Sequence, residues 1–153
     1  MKKIVPLILA LALLCVLCAC GTAAEPEPTA VTDEIIATLA IESPLTIPQE
    51  RLLALYGIEA ADIAAYSCFT TLDGGVFPDE VVIVKATDSA AAGRVEERLN
   101  ARLTSVLAQA QNYDPESLAI AQQCRVQKNG NYVALFISPQ HEAMEQIYAA
   151  AFE

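Results

Sequence analysis

The sequence predicts an α+β domain: a four-stranded antiparallel sheet of two hairpins, packed by a long central helix and a C-terminal helix, with two short N-terminal helices before it. Three observations predict it. In "CRVQKNGNYVALFIS", two strand-like runs flank Asn129-Gly130, a preferred pair for a type I′ hairpin turn. Two segments, residues 79–86 and 132–138, are apolar on both faces, as central strands covered on both sides must be. Between the hairpins, "DSAAAGRVEERLNARLTSVLAQAQ" sets Ala92, Val95, Leu99, Leu103, Val106, Leu107 and Ala110 in one helical stripe. With the doubly apolar strands central, the expected strand order is 1-2-4-3.

Along the chain, "TDEIIATLAIE" from Thr32 has Ile35, Ile36, Leu39 and Ala40 at helical spacing and stops before Pro44. A second short helix opens at Pro48, buries Leu52, Leu53, Leu55 and Tyr56, and is capped by Gly57. "AAYSCFTTL" (64–72) reads as the first strand, broken by "DGG" at 73–75. Asp88 or Ser89 caps the long helix, in which Gly93 costs a little. Asp114 and Pro115 open another short helix, and Ser138-Pro139 start the last one, with Met144, Ile147, Tyr148 and Ala151 inward. The long and C-terminal helices are expected on one face of the sheet, with the N-terminal pair on the other.

The first residues speak of location. Met1-Lys2-Lys3 precedes an uncharged run from Ile4 to Ala19, the layout of a signal peptide. The run is 16 residues, shorter than the ~20 that a spanning helix needs. It closes on Leu17-Cys18-Ala19-Cys20, the pattern of a bacterial lipoprotein cleavage site. Only Cys20 has a small residue before it, because Leu14 and Leu17 precede Cys15 and Cys18. A thiol is nucleophilic enough to take a thioether-linked diacylglyceryl group, and acyl chains such as palmitate then anchor the new N-terminus stably. The alternative is a plain secreted chain, or an uncleaved anchor. The expected organisation is a signal peptide at 1–19, a lipidated Cys20 with an acidic, proline-bearing tether at 20–31, and one domain at 32–153. The protein is expected on the outer face of the bacterial cytoplasmic membrane.

Removing residues 1–19 takes Lys2 and Lys3 but no acid, leaving 7 basic against 19 acidic residues and a net charge of −12. Nucleic-acid binding, which needs a basic surface to displace counterions, is excluded by that balance. An anionic membrane also repels so acidic a domain, which argues against its lying flat on lipid. About 110 residues cannot easily form two lobes around a cleft, which argues against a transporter's solute receptor.

Chemistry-bearing constellations are sparse. His141 is the one histidine, expected as a solvated first-turn residue, and offers no two-histidine metal site. Neither a metal nor any other cofactor is expected. Cys68 and Cys124 allow one disulfide in an oxidising compartment, although both sit in apolar strand contexts that suit a free thiol. Asp73, Asp79, Glu80 and Asp88 flank the first hairpin and could gather at the sheet's rim, without the spacing of a glycosidase pair or calcium loop. The most specific oddity is basic: Arg94, Arg98 and Arg102 recur every four residues along the long helix, with Lys85 just upstream. Such a ridge could grip a carboxylate-bearing ligand or partner with guanidinium forks, or simply pair with Glu96, Glu97 and other acids.

"LYGI" (55–58), "DEVVIVKATD" (79–88), "NYDPE" after the long helix and "GNYVALFIS" (130–138) form an ordered series. In it the chain resembles a family of small lipoproteins, mostly from Gram-positive anaerobes, known only as a domain of unknown function. The resemblance spans the folded part from about Thr32 onward. It implies a membrane-anchored extracytoplasmic domain and carries over no catalytic residues. Cys68 and Cys124 are not typical of that family, which argues further against a functional disulfide. The expectation is a lipid-anchored, non-enzymatic module that binds an envelope protein or a wall-derived ligand. The competing class is an enzyme working on envelope polymers with carboxylates alone.

Overall fold

A computed structural model describes residues 25–72 and 78–153 of the chain. The signal segment, Cys20 and the Asp73–Gly75 break lie outside the described residues. The second hairpin forms where its turn residues demand it, with β4 at Val126–Asn129 and β5 at Tyr132–Ile137. Its loop is shifted by one from expectation: Asn129 pairs with Tyr132, leaving Gly130-Asn131 as the two-residue turn. Only Gly130 takes a positive φ, +57°, the pattern of a type II′ rather than a type I′ turn.

The sheet has five strands, not four, in the order β1-β2-β3-β5-β4. β2 (Ile63–Thr70), β3 (Glu80–Ala86), β5 and β4 are the four expected strands, adjacent in the expected order. The addition is β1, Leu45–Thr46, which pairs with Thr70 and Phe69 at the β2 edge. Two exposed residues carry no periodicity, so this strand leaves no mark in the sequence. β3 and β5 are central as predicted, and Val81, Val82, Ile83 and Val84 are all fully buried. Each such side chain contributes about 1.5–3 kcal/mol of burial.

Alternation along the strands sorts two cores. Cys68, Val82, Val84, Val133 and Leu135 face one side. They pack against α3 (Ser89–Tyr113) and α2 (Leu52–Tyr56). Phe69, Val81, Ile83, Ala134 and Phe136 face the other, beneath α1 (Pro28–Thr38) and α5 (His141–Ala150). The long and C-terminal helices therefore cover opposite faces, contrary to expectation. Two doubly apolar strands need a helix from each side, and α5 pairs its Met144 and Tyr148 with Phe136.

Packed structure also begins before Thr32. Pro28 occupies the first turn of α1, where its missing N–H costs nothing, and Pro28 and Val31 are already buried. At the other caps the sequence reading holds. Asp88 accepts a hydrogen bond from the Ala91 amide at 2.8 Å, and the Asp114 carboxylate accepts from the Glu116 and Ser117 amides ahead of α4 (Pro115–Ala121). Gly57 closes α2 with φ +70°, donating to the Leu53 carbonyl at 2.8 Å.

Candidate functional site

The spacing of four places Arg94, Arg98 and Arg102 along one side of α3, beside α2 and the start of β2. The two end members are occupied. Arg94 grips Asp62, just ahead of β2, with Nε at 3.0 Å from Oδ2 and Nη2 at 2.5 Å from Oδ1. Arg102 forks onto Glu80 at the start of β3, with Nε at 3.0 Å from Oε1 and Nη2 at 2.6 Å from Oε2. Its guanidinium also lies 5.9 Å from the Tyr56 ring centroid. The partners are thus Asp62 and Glu80, while Glu96 receives Lys128 at 2.7 Å. Arg98 is exposed, forms no ion pair with a described residue, and lies over Gly57, where an added Cβ would meet its Cδ at 3.3 Å.

Lys85 does not join this ridge. As an odd-numbered position of β3 it shares a face with Val81 and Ile83, opposite Val82 and Val84. There it donates to Glu25 at 2.9 Å and sits 5.4 Å from the Tyr132 ring centroid. The hairpin acids do not gather either. Asp79 is half-buried, Glu80 lies under α3, and Asp88 caps α3 at the opposite end of β3. Burial raises the Asp79 carboxyl, partly offset by a hydrogen bond from Ser138.

The Arg94 guanidinium holds the Asp62 carboxyl below its ordinary 3.8. A depressed acid binds fewer protons folded than unfolded, so its contribution is complete above the unfolded value and disappears as pH falls through the folded one. The stability difference between wild type and Asp62→Asn, measured by urea unfolding at a series of pH values, should stay constant above about pH 5 and shrink below about pH 4.

Both cysteines among the described residues are free and buried. Cys68 donates its S–H to the Tyr56 hydroxyl oxygen at 3.5 Å, and burial pushes the thiol up to about 12. Cys124 donates to the Ile120 carbonyl at 3.4 Å, and burial raises it too. A thiol that keeps its proton is no nucleophile. His141 is only 7 % exposed, a correction to the solvated residue expected. It opens the inward stripe His141, Met144, Tyr148 of α5, a spacing legible in the sequence. Its Nδ1 lies 3.6 Å from Glu145 Oε1, and Glu145 accepts from Arg125 at 2.9 Å. Arg125, Gln127, Glu142, Glu145 and Gln146 line a shallow depression of about 380 Å³ between β4 and α5. Among the described residues, no cluster of His, Cys, Asp or Glu is placed to hold a metal ion, and no helix is long and apolar enough to cross a membrane.

What the sequence reading missed is apolar. Four leucines stand exposed: Leu45 on β1 (43 %), Leu53 and Leu55 on α2 (51 % and 39 %), and Leu72 beyond β2 (69 %). Leu53 and Leu55 were expected inside. On a five-residue helix, Leu52 and Tyr56, one turn apart, take the buried side, and the residues between them point out.

The model of a family described as a domain of unknown function, DUF4358, matches residues 39–138. The chain belongs to this family. The DUF4358 match runs from the end of α1 to the residue after β5. It takes in the whole sheet, α2, α3 with its three arginines, both of their carboxylate partners and all four exposed leucines. His141 lies beyond the DUF4358 match, as do Glu142, Glu145 and Gln146, the α5 side of the shallow depression. No curated protein and no solved structure matches the chain.

Proposed function

We propose that this DUF4358 protein is a bacterial lipoprotein, anchored by Cys20 at the outer face of the cytoplasmic membrane, whose domain binds an envelope protein rather than transforming a substrate. The observation that carries the binding role is exposed leucine: Leu45 pairs with Thr70 on β2, two residues from Leu72, and Leu53 and Leu55 stand exposed on α2. Large apolar side chains left in water are costly, and exposed apolar patches mark association surfaces. β1 is only two residues long, so the neighbouring backbone is partly uncovered there, and Arg98 over Gly57, which forms no ion pair with a described residue, adds a guanidinium beside α2. The anchoring role rests on Leu17-Cys18-Ala19-Cys20.

The test is crosslinking in intact cells followed by recovery of the tagged protein. Wild type should bring down a specific envelope protein. The Leu53→Glu/Leu72→Glu variant changes only exposed side chains and should recover it at least about tenfold less, the loss that roughly 1.4 kcal/mol of interface energy produces. Equal recovery by both would remove the exposed leucines from the account. Arg98→Gln, run alongside, separates the guanidinium's share from that of the leucines.

A further inference from the structure

We propose that Asn129 is a self-modifying site: in the folded protein the Gly130 backbone nitrogen displaces its side-chain amide, leaving aspartate or isoaspartate at the tip of the second hairpin. The proposal is independent of the Cys20 anchor and of the exposed leucines. Asn129-Gly130 is the one asparagine–glycine step in the chain. Glycine matters because it brings no Cβ to keep its nitrogen away from the preceding side chain. Both residues are exposed, and nothing lies within 4 Å of the place where a Gly130 Cβ would stand.

The fold leaves the reacting groups free to meet. The β4–β5 ladder closes at the Asn129–Tyr132 pair, so the Gly130 N–H falls outside it, and among the described residues it donates to no other backbone group. Attack requires Asn129 to leave the extended conformation of a strand, and this disturbs only the closing pair. That pair is the last of four, on a strand that ends the sheet and has a neighbour on one side alone. Fraying of such an end costs far less than unfolding the domain. The other asparagines lack this freedom. Asn100 and Asn112 lie inside α3, where each donates its Nδ2 to a carbonyl one turn back at 2.9 Å. Asn131 precedes Tyr132, which is buried and holds its place in the ladder.

The chemistry is a hydrolysis in two stages and needs only water. The Gly130 nitrogen gives up its proton and bonds to Asn129 Cγ, the Cγ–Nδ2 bond breaks, and Nδ2 leaves with that proton as ammonia. Water then adds to either carbonyl of the cyclic imide and breaks one of its C–N bonds. Opening at Cγ gives aspartate. Opening at the main-chain carbonyl gives isoaspartate, whose backbone runs through Cβ and is one atom longer. A two-residue loop fixes the register of its hairpin, so the extra atom breaks the closing pair. Either product also sets a new carboxylate beside Lys128, whose 2.7 Å pair with Glu96 ties β4 to α3. β5 stays in place because β3 holds its other side. The consequence is a one-way loosening of β4 as the protein ages.

The experiment incubates the folded, purified protein at neutral pH and follows the peptides that contain its asparagines by mass spectrometry, with released ammonia measured alongside. Asn129 should gain the mass that separates an acid from an amide. It should do so at least about tenfold faster than Asn100, Asn112 or Asn131, a barrier lower by about 1.4 kcal/mol or more. Protein bearing isoaspartate should exchange its β4 amide hydrogens faster, while those of β3 hold. Asn129→Gln, whose longer side chain closes a less favourable ring, should release no ammonia from this site and keep the wild-type circular dichroism. An Asn129 that keeps its amide while the same chain in urea loses it would overturn the proposal. So would loss at Asn129 that occurs only where circular dichroism shows the whole domain unfolding, or loss spread evenly over the asparagines.

Discussion

Arg102→Ala is expected to destabilise the domain by about 3 kcal/mol, the lower range for breaking a buried ion pair from one side. Glu80 is 7 % exposed at the start of β3, and the Arg102 fork engages both of its carboxylate oxygens. Truncation leaves that carboxylate with little access to water and no counter-charge. It also strips the cation from the Tyr56 ring. Over a domain of this size the loss corresponds to a fall of about 10 °C in Tm, read by circular dichroism. The double variant Glu80→Gln/Arg102→Met should recover much of it, because removing both charges leaves none stranded. This separates two readings of the arginine ridge. An arginine that fastens α3 to the sheet costs stability when removed, whereas one that grips a ligand leaves stability unchanged and costs partner recovery. The geometry assigns Arg102 to the first kind and leaves Arg98 as the guanidinium open to a partner.

Cys20→Ser should abolish incorporation of labelled palmitate and leave the chain at its precursor mass, because a hydroxyl does not take the thioether-linked lipid. Cys15→Ser and Cys18→Ser should leave labelling intact, since neither cysteine has a small residue before it. The loss is near-total in kind: each buried methylene of an acyl chain is worth ~0.8 kcal/mol, and nothing else in the proposal holds so acidic a domain at a membrane. Stability of the folded part should not change, because packed structure starts at Pro28. Metabolic labelling and fractionation of the three variants check this directly. Lipid on Cys20→Ser, or its loss from Cys18→Ser, would contradict the assignment.

Much of the fold was legible because burial on two faces leaves an unmistakable trace. Residues 81–84 hold no polar side chain, and α3 repeats its apolar stripe over six turns. Caps were legible for a local reason: Asp88, Asp114 and Gly57 act on amides and carbonyls within a few residues of themselves. Long-range facts were not. Nothing near Arg94 or Arg102 marks Asp62 or Glu80 as partners, 32 and 22 residues away. The face taken by α5 depends on which side of the sheet is still open once α3 has docked. Two features were available and passed over. Strand alternation alone separates Lys85 from Val82 and Val84, and the 141/144/148 spacing marks His141 as inward. Pro28 was likewise a readable start for α1.

The measurement that bears most directly on the central claim is the mass of the N-terminal peptide of the mature protein, purified from membranes. The account predicts a peptide beginning at Cys20 and carrying a diacylglyceryl group on sulfur. A chain that still begins at Met1, or that begins at an unmodified Cys20 or at any other residue, would contradict it.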